Sequence, residues 1–405
     1  MKVVYLHQYF NTADSAGGTR SYEFARRLVR DGHEVHIVTT DRSGAKGKKL
    51  WHMSEVEGIR VHSINQPYNN SMNARARIMA FLGFAIRASK LSRDLRGDLV
   101  FATSTPLTIV IPALAATLGR RTPMVMEVRD LWPTVPIALG FLENPVLRFL
   151  AKTLERVAYR SSSKIIALSQ GMAEGVFSTG ISHSKVSVIP NLSDTGRFAK
   201  GKADPAKFTM HHPELQSRPF VLYAGTFGRV NGVEFMVRLA NEYRKLDSNL
   251  AFVAIGDGAE REHVVNIAHD LGVLNRNFFV LDPVPKKEMP DLLAAAVACS
   301  SWVIPVKELE ANSANKIFDA FAAAKPVIIN YGGWQQVLLH TSGAGLSLSS
   351  TDAKAAAQSL HSNLTDESWL ASASEASEKL GRSVFEVELL YGQFLEVLKS
   401  AVSKS

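Results

Sequence analysis

Residues 313–328 read Ser-Ala-Asn-Lys-Ile-Phe-Asp-Ala-Phe-Ala-Ala-Ala-Lys-Pro-Val-Ile, a polar start and a helix whose Lys-Pro exit leads directly into an apolar strand. The unpaired N–H groups at a helix start attract phosphate, and Lys316 adds a full charge beside them. We predict that Ser313 and Asn315 cap this start. Asp319 lies one turn further along the same face, where a carboxylate can accept hydrogen bonds from ribose hydroxyls. The alternative is a capped amphipathic helix that only fills the core with Ile317, Phe318 and Phe321.

The length and composition of the chain indicate a soluble globular enzyme. A chain of 405 residues exceeds what one hydrophobic core usually holds, so two domains of about 200 residues each are expected. The apolar fraction of 46% and the charged fraction of 21% exclude a disordered or fibrous protein. The single cysteine, Cys299, cannot form an internal disulfide. It is predicted to be a small buried hydrophobe, which favours a reducing compartment.

The hydropathy pattern predicts neither export nor membrane insertion. The apolar residues after Lys2 soon give way to polar ones, and this run is too short for a secretory signal. The longest apolar run, Leu107 to Leu118, contains Pro112 and is far below the roughly 20 residues that a membrane span requires. We therefore predict a cytoplasmic protein.

Positive charge is concentrated in the first half of the chain. Residues 1–196 contain 25 lysines and arginines against 15 acids, whereas the rest contains 21 against 23. Residues 71–93 contain no acid, and their pattern predicts a helix on the anionic inner surface of the membrane. A core helix with a solvated basic edge is the alternative. The basic residues are Arg75, Arg77, Arg87, Lys90 and Arg93, around Ile78, Met79, Phe81, Leu82, Phe84 and Ile86.

Nucleic acid is not a predicted partner. The basic residues are not accompanied by a helix-turn-helix, a zinc-finger or an aromatic RNA-binding signature.

The first half alternates short β-branched runs with helical patterns, which is typical of a parallel sheet with helices on both faces. A helix is predicted at Arg20–Asp31, between the first two strands. Pro190-Asn191 ends the pattern, and residues 193–218 are predicted to be an irregular linker. The predicted strands are Val3–Leu6, Glu34–Thr39, Leu99–Ala102, Met124–Val128, Lys164–Ala167 and Val186–Ile189.

The same alternation restarts after Pro219. We therefore predict an α/β protein with two Rossmann-like domains facing each other across a cleft, residues 1–196 and 197–383. The last helical stretch, 384–405, has a stripe of Phe385, Leu389 and Leu398 and is expected to pack back on the first domain. The second set of strands is Val221–Tyr223, Ala251–Ile255, Phe278–Val280, Cys299–Val303 and Val327–Ile329.

Ligands of doubly wound sheets bind beyond the carboxyl ends of the strands, so the loops after strands are candidate sites. After the first strand, Gly17-Gly18 allows a backbone to approach an anion, and Arg20 is a candidate phosphate partner. A plain tight turn is the alternative. The loop that begins at Glu127 places Arg129 and Asp130 at a strand exit. A capping role for Asp130 beside a stacked tryptophan is the alternative there.

Two further loops lie in the second half. Residues 223–232 are glycine-rich and carry one guanidinium, that of Arg229, which suits a diphosphate. Gly256-Asp257-Gly258 is a turn after a strand and indicates little alone. The twelve histidines are scattered or adjacent, without metal-ligand spacing, and Cys299 has no partner, so no metal or other cofactor is predicted.

Several of these segments together resemble the GT-B family of retaining glycosyltransferases often numbered family 4, over nearly the whole chain. The resemblance is to a branch that builds bacterial O-antigen, capsule or exopolysaccharide. The segments that carry it are Tyr9-Phe10, Gly17-Gly18, residues 32–35 (Gly-His-Glu-Val), residues 127–133 (Glu-Val-Arg-Asp-Leu-Trp-Pro), residues 189–191 (Ile-Pro-Asn), residues 223–225 (Tyr-Ala-Gly) and residues 315–319 (Asn-Lys-Ile-Phe-Asp).

The resemblance implies a retaining, metal-independent transfer of a sugar from a nucleotide-sugar, usually UDP-linked, to a lipid-linked saccharide. The diphosphate leaves against backbone dipoles and basic side chains. Arg129, Asp130, Arg229 and Lys316 would be catalytic, and Gly17, Gly18 and Arg20 would form the opposite wall. The implied donor-binding residues are Gly225, Thr226, Gly228, Asn231, Asp257, Glu310, Ser313, Asn315 and Asp319.

The chain departs from the family pattern at three places. The usual arginine and lysine of the glycine-rich loop are replaced by Thr226 and Asn231, which leaves Arg229 to compensate. The usual glutamate pair appears as Ala311 and Asp319, with Glu310 or Glu308 as candidate replacements for the first acid. The usual histidine before Asp-Leu is Arg129.

Two alternative functions remain open at this stage. One is a UDP-sugar epimerase of the same two-domain shape, which needs catalytic carboxylates and no acceptor. The other is a non-catalytic sugar-nucleotide-binding partner subunit that lacks the sugar-contacting acid.

Overall fold

The computed structural model describes residues 1–15, 17–41, 50–66, 72, 74–104, 106–198, 202–216 and 218–403. Eight described strands form the first sheet, and parallel pairing joins all of them except one edge pair. They are β1 (Lys2–Leu6), β2 (Glu34–Asp41), β3 (Trp51–Val56), β4 (Ile59–Asn65), β5 (Leu99–Thr103), β6 (Met124–Val128), β7 (Lys164–Ala167) and β8 (Val186–Val188), in the order β3-β4-β2-β1-β5-β6-β7-β8.

Helices cover both faces of the first sheet, as expected for buried parallel strands. They are α1 (Arg20–Arg30), α2 (Ala74–Asp94), α3 (Val110–Thr117), α4 (Thr134–Ala138), α5 (Pro145–Ser161) and α6 (Gln170–Phe177). Two short helices follow, α7 (Thr195–Phe198) and α8 (Pro205–Met210).

Six described strands form the second sheet, which is parallel throughout. They are β9 (Phe220–Ala224), β10 (Ala251–Ile255), β11 (Phe278–Leu281), β12 (Ala298–Ser301), β13 (Val327–Ile329) and β14 (Gly345–Ser347), in the order β11-β10-β9-β12-β13-β14. Its helices are α9 (Val233–Tyr243), α10 (Arg261–Asp270), α11 (Met289–Ala295), α12 (Asn315–Ala322), α13 (Trp334–Ser342), α14 (Ala353–Leu364) and α15 (Glu367–Ser383), followed by α16 (Val387–Val402).

The predicted α/β class with two parallel sheets is confirmed. Every predicted strand is present, with ends that differ by no more than two residues. Strands β3, β4 and β14 were not predicted. The first two form an antiparallel pair at the sheet edge, where half-exposed polar residues weaken the apolar pattern, and β14 has only three residues.

The segment 193–218, predicted to be irregular, contains α7, α8 and a short 3₁₀ turn in its described part. Phe198 and Leu215 of this segment are buried in a core of the second sheet. The prediction of an irregular linker is therefore wrong, because short helices leave too few turns to show a period.

Helix α16 lies against the first sheet although it follows the second sheet in the chain. Phe394 stacks on Phe24 with ring centroids 4.5 Å apart and meets the edge of Phe101 at 5.1 Å. Leu398 joins the same core, whereas Leu389, predicted to lie on the buried stripe, is exposed. Phe385 belongs to a core of the second sheet, so the predicted stripe is divided between two cores.

Cys299 is buried, as predicted, and burial raises the pKa of its thiol to about 12. In the described part of the chain, no helix is long and apolar enough to span a membrane.

Candidate functional site

A cavity of about 500 Å³ lies beyond the carboxyl ends of β9, β10 and β12 and is closed on one side by the Gly17-Gly18 loop. The strand order of the second sheet reverses between β9 and β12, and such a switch point is where open α/β sheets bind ligands. Eleven residues predicted from the sequence to be functional line this cavity: Gly17, Gly18, Asp130, Gly225, Thr226, Asn231, Asp257, Ser313, Asn315, Lys316 and Asp319.

Lys316 provides positive charge on the cavity wall, in the first turn of α12. Its Nζ lies 4.3 Å from the centroid of the Tyr223 ring. Burial lowers the pKa of its ammonium group to about 8. Among the residues that the structure describes, no carboxylate is within ion-pair distance of Lys316. A bound anion would therefore supply the opposite charge that the protein does not.

Gly225 makes room for this ammonium group. A Cβ atom at residue 225 would lie 2.9 Å from Nζ and Cε of Lys316 and 3.2 Å from the hydroxyl of Tyr223. A side chain there would displace Lys316 from the wall. The glycine-rich loop after β9 thus leaves room for the Lys316 side chain, in addition to giving its own backbone freedom.

The start of α12 is not capped as the sequence predicts. Ala314 is the N-cap residue, and no side chain accepts a hydrogen bond there. Ser313 instead accepts a hydrogen bond at its carbonyl from the amide of Asn191, at 2.7 Å. The predicted capping by Ser313 and Asn315 is therefore wrong, and among the described residues no side chain caps the start of α12, which leaves it open to an anion.

Asp319 faces the cavity and is bonded to Lys286. Lys286 is 7% exposed, and its ammonium group also lies 5.6 Å from the centroid of the Phe198 ring. Lys286 was not predicted from the sequence to be functional. It lies in the loop after β11, so the rule that strand exits hold ligands would have found it.

Tyr331 is a second residue of the cavity wall that the sequence did not indicate. Its hydroxyl donates to Oε1 of Gln335 at 2.7 Å and contacts Oγ of Ser301 at 3.2 Å. The side chain is therefore held in place beneath the cavity. Tyr331 follows the short strand β13 by only two residues.

Loops of the two sheets meet across the cavity. A Cβ atom at Gly18 would lie 2.5 Å from Nδ2 of Asn315, so only glycine permits this approach. A second cross-cleft contact joins Oγ of Ser169 to the carbonyl of Ala311, at 2.6 Å. A third joins Oγ of Ser193 to the carbonyl of Phe318, at 2.8 Å. These contacts hold the first-sheet loops over the start of α12.

Arg20 does not line the cavity, which corrects the expectation that it contacts phosphate. It is 2% exposed, and its Nε donates to Oε1 of Glu127 at 2.8 Å. Its other two nitrogens donate to the carbonyls of Pro190 and Ile189. The guanidinium also lies over the Phe24 ring. Arg20 is a buried structural cation under the Gly17-Gly18 loop.

Of the residues predicted at the exit of β6, only Asp130 lines the cavity. Arg129 is half-buried outside the cavity wall, and its backbone N–H donates to Oγ of Ser104 at 3.0 Å. That Arg129 faces the reacting centre stays a prediction. Arg229 and Gly228 also lie outside the wall, and Arg229 is exposed with its guanidinium 5.9 Å from the centroid of the Phe141 ring.

Glu310, predicted to be a donor-binding residue and one of two candidates to replace the missing acid, is not among the residues that line the cavity. Its Oε1 is 3.0 Å from where a Cβ atom of Gly332 would lie, in the loop after β13. Glu308 is exposed. Ala311 itself packs against Gly171 of the first sheet's helix α6. Neither glutamate is among the residues that line the cavity.

Within the described ranges, no group of three His, Cys, Asp or Glu side chains is arranged to hold a metal ion. The absence of a cofactor stays a prediction. One wall of the cavity thus combines a buried cation, an uncapped helix start and an acid beside a second cation.

Solved structures with this fold cover almost the whole chain. Sucrose-phosphate synthase from Thermosynechococcus elongatus superposes with a TM-score of 0.80 at 14% identity and covers 100% of both chains. Anabaena HepE, solved in complex with UDP and glucose, superposes with a TM-score of 0.73 at 18% identity and covers 99% of this chain and 100% of that one. At these identities the likeness shows the fold alone.

The chain also has curated relatives. It is 25% identical over 282 residues to the putative colanic acid biosynthesis glycosyl transferase WcaI of Escherichia coli strain K12, a match that covers 65% of this chain and 68% of that protein.

Family models match both halves of the chain. Residues 15–192 match the glycosyl transferase 4-like domain, and residues 208–382 match the glycosyl transferases group 1 domain. The first match covers every described strand of the first sheet except β1, the second match covers the strands of the second sheet, and the cavity lies where the two sheets face each other. The two matches together cover most of the chain and show that it is a glycosyltransferase, with a glycosyl transferase 4-like domain followed by a group 1 domain, while the solved structures show that its fold is the GT-B fold.

Proposed function

We propose that this protein transfers a sugar from a UDP-sugar to a lipid-linked saccharide in the synthesis of a bacterial surface polysaccharide. The observation that carries the proposal is Lys316, a cation on the wall of the cavity with no described acid partner, beside the uncapped start of α12. Backbone dipoles and a fixed cation stabilise the charge that develops on a departing diphosphate. The name of the relative WcaI supports the biological setting.

The rest of the donor fits the same wall. Asp319, held by Lys286, offers its second carboxylate oxygen to the hydroxyls of a ribose. Pro283, Val284 and Met289 line the cavity as well and give an apolar surface suited to a nucleobase. The proposed base is uracil because HepE, which has a similar fold, was solved in complex with UDP.

The acceptor enters from the first sheet in this proposal. Asp130 and the Gly17-Gly18 loop lie on that side of the cavity, opposite Lys316. In this proposal the carboxylate of Asp130 contacts the reacting sugar. Retention of the anomeric configuration and metal independence are proposed from the family resemblance, and NMR of the product's anomeric proton tests the first.

The proposed setting is the cytoplasmic face of the membrane. The described part of the segment predicted to bind lipid forms α2, in which Met79 and Ile86 are exposed whereas Phe84 is buried. Arg87, Lys90 and Arg93 are exposed too. Residues 71 and 73 and the side chain of Arg75 lie outside the described residues. Helix α2 thus has the mixed apolar and basic surface that peripheral membrane binding requires.

A thermal-shift titration with UDP, GDP, ADP and CMP, with and without magnesium, tests the donor site. A ligand at about 100 times its dissociation constant adds roughly 2.7 kcal/mol of stability. We expect UDP to stabilise the protein selectively and without magnesium. Stabilisation by none of the four nucleotides would contradict the proposed donor class.

Sugar transfer itself is tested with Lys316→Ala. We expect the transfer rate to fall roughly 100-fold or more, because one stabilising donor to the leaving group is lost. Thr341→Ala, an exposed change on α13, is the control with unchanged rate. Near wild-type turnover of Lys316→Ala would remove the lysine from the mechanism.

One observation favours a second candidate, a nucleotide-sugar-binding subunit without turnover. The position of the family's first acid is Ala311, and neither Glu308 nor Glu310 is placed in the cavity. Nucleotide stabilisation without turnover on any lipid-linked acceptor would support this candidate over the enzyme.

A further inference from the structure

Helix α5 presents large apolar side chains to solvent. Val146, Phe149 and Leu150 are 63%, 67% and 54% exposed. Their spacing of three and four residues places them on one face of the helix, which Val157 continues two turns later. A soluble monomer seldom leaves such a contiguous apolar face uncovered without a binding role.

The same helix carries exposed positive charge. Lys152, Arg156 and Arg160 are all exposed. The single acid of α5, Glu155, is buried beside Tyr159, and burial raises the pKa of its carboxyl group to about 7. The exposed surface of α5 therefore has basic residues without acidic ones.

The N-terminal end of α5 lies at the mouth of the cleft. Phe141, four residues before the helix, is 53% exposed, and the guanidinium of Arg229 from the second sheet lies over its ring. The preceding helix α4 packs through Val135 and Leu139 against a core of the second sheet. The residues that precede α5 therefore contact the second domain.

Helices α2, α3 and α5 cover the same face of the first sheet. Buried residues of all three belong to one core, among them Phe84, Ala113 and Tyr159. Ile86 of α2 and Leu118 at the end of α3 are exposed apolar residues as well.

We propose that α5 is the principal membrane-docking helix of this protein, with its apolar face inserted into an anionic lipid monolayer. This inference rests on the proposed function, which explains why the protein binds a membrane. It identifies the surface that makes the contact. Apolar side chains bounded by lysine and arginine fit the boundary between headgroups and acyl chains.

A second copy of the chain fits this face less well. A two-fold contact joins the same patch on both subunits. The described exposed residues of α5 include no acid to pair with Lys152, Arg156 or Arg160 across such an axis. Anionic lipid supplies the negative charge that a second α5 lacks.

Vesicle flotation of the full chain without nucleotide tests the proposal, with phosphatidylcholine vesicles that contain or lack phosphatidylglycerol. We expect Phe149→Ser with Leu150→Ser to lower the partition coefficient roughly 100-fold, because two large side chains no longer leave water. Lys152→Glu with Arg156→Glu should lower it roughly 25-fold on anionic vesicles, at about 1 kcal/mol for each lost basic contact.

Two matched controls separate α5 from other exposed apolar residues. Met79→Ser with Ile86→Ser changes the two most exposed apolar residues of α2, and Val337→Ser changes an exposed residue of α13 on the second domain. We expect the α13 variant to retain all binding, and the α2 variant to lose part of it but clearly less than the α5 variant. Loss of binding in the α2 variant with retention in the α5 variant would overturn the proposal.

Two further results would contradict the proposal that α5 docks on the membrane. Wild-type binding that is indifferent to phosphatidylglycerol would overturn it, as would a concentration-dependent dimer, seen by light scattering, that the α5 substitutions dissociate. Thermal unfolding of the same variants, measured without nucleotide, shows that they are folded. Because flotation uses no nucleotide, a missing UDP shift contradicts the donor site and leaves the docking result standing.

Discussion

The ammonium group of Lys286 is bonded to the carboxylate of Asp319, and both side chains belong to the wall of the cavity. The two come from different elements, the loop after β11 and helix α12. One carboxylate oxygen of Asp319 is thereby engaged, and the direction of the other is fixed. Lys286 is in this view a positioning residue for the ribose contact.

We expect Lys286→Met to weaken the binding of UDP more than that of 2′-deoxy-UDP. The carboxylate loses its partner and its fixed direction, so the advantage of a 2′-hydroxyl group should fall by roughly tenfold, the value of one hydrogen bond to a charged group. Calorimetric titration of both nucleotides measures the ratio. Lys287→Met, the neighbouring change, is the control, and an unaltered ratio in Lys286→Met would show that Lys286 does not position the ribose contact.

The affinity for UDP should depend on pH through Lys316. The pKa of its ammonium group is lowered to about 8 in the free protein, so the group loses its charge as the pH rises through 8. An anion binds the charged form, and affinity should therefore be roughly tenfold weaker at pH 9 than at pH 7. Calorimetry in buffers of different ionisation enthalpy measures the linked proton uptake.

Lys316→Arg is the control for this pH dependence, because an arginine stays charged throughout the range. Any titration of the nucleotide itself affects the affinity of the arginine variant and of the wild type equally. The same steep fall in affinity in the arginine variant would show that another group is responsible. The sign for folding is opposite: the unfolded chain binds more protons between about pH 8 and 10.5, so stability from this group rises with pH there.

Arg20 should matter for stability and little for nucleotide binding. Arg20→Met leaves Glu127 buried without its cation, and breaking such a buried pair costs about 3–5 kcal/mol. Urea denaturation measures the loss. Adding Glu127→Leu to Arg20→Met should recover much of it, because the unpaired charge is then removed. Weaker UDP binding at unchanged stability would contradict this assignment.

Helix α16 should stabilise the first domain through Phe394. Phe394→Ala removes a fully buried ring that packs on Phe24 and Phe101, which costs about 3–5 kcal/mol. Leu389→Ala, at an exposed position of the same helix, should cost less than about 0.5 kcal/mol. Hydrogen exchange should show the loosening in α1 and β5, where the ring packs, and loosening confined to the second sheet would refute the role of α16.

The sequence alone was enough to predict the parallel strands, because a parallel strand buried on both faces is apolar along its whole length. Strands such as β6 and β10 are buried at every residue, and their bounds match the prediction. The glycines at 18 and 225 and the cation at 316 were also visible, since their chemistry does not depend on a distant partner. These residues are found together in the cavity.

Long-range partners decided the rest. Arg20 and Arg229 are both arginines after a strand, yet one pairs with Glu127, 107 positions away, and the other lies exposed over Phe141. Whether a guanidinium is free for phosphate depends on which acid or carbonyl the fold brings to it, and sequence spacing does not contain that distance. The same holds for Lys286 and Asp319, and for the exposed face of α5, whose apolar pattern also suits a core helix. Local chemistry thus determined which residues are suited to a ligand, and only tertiary packing determined which of them face it.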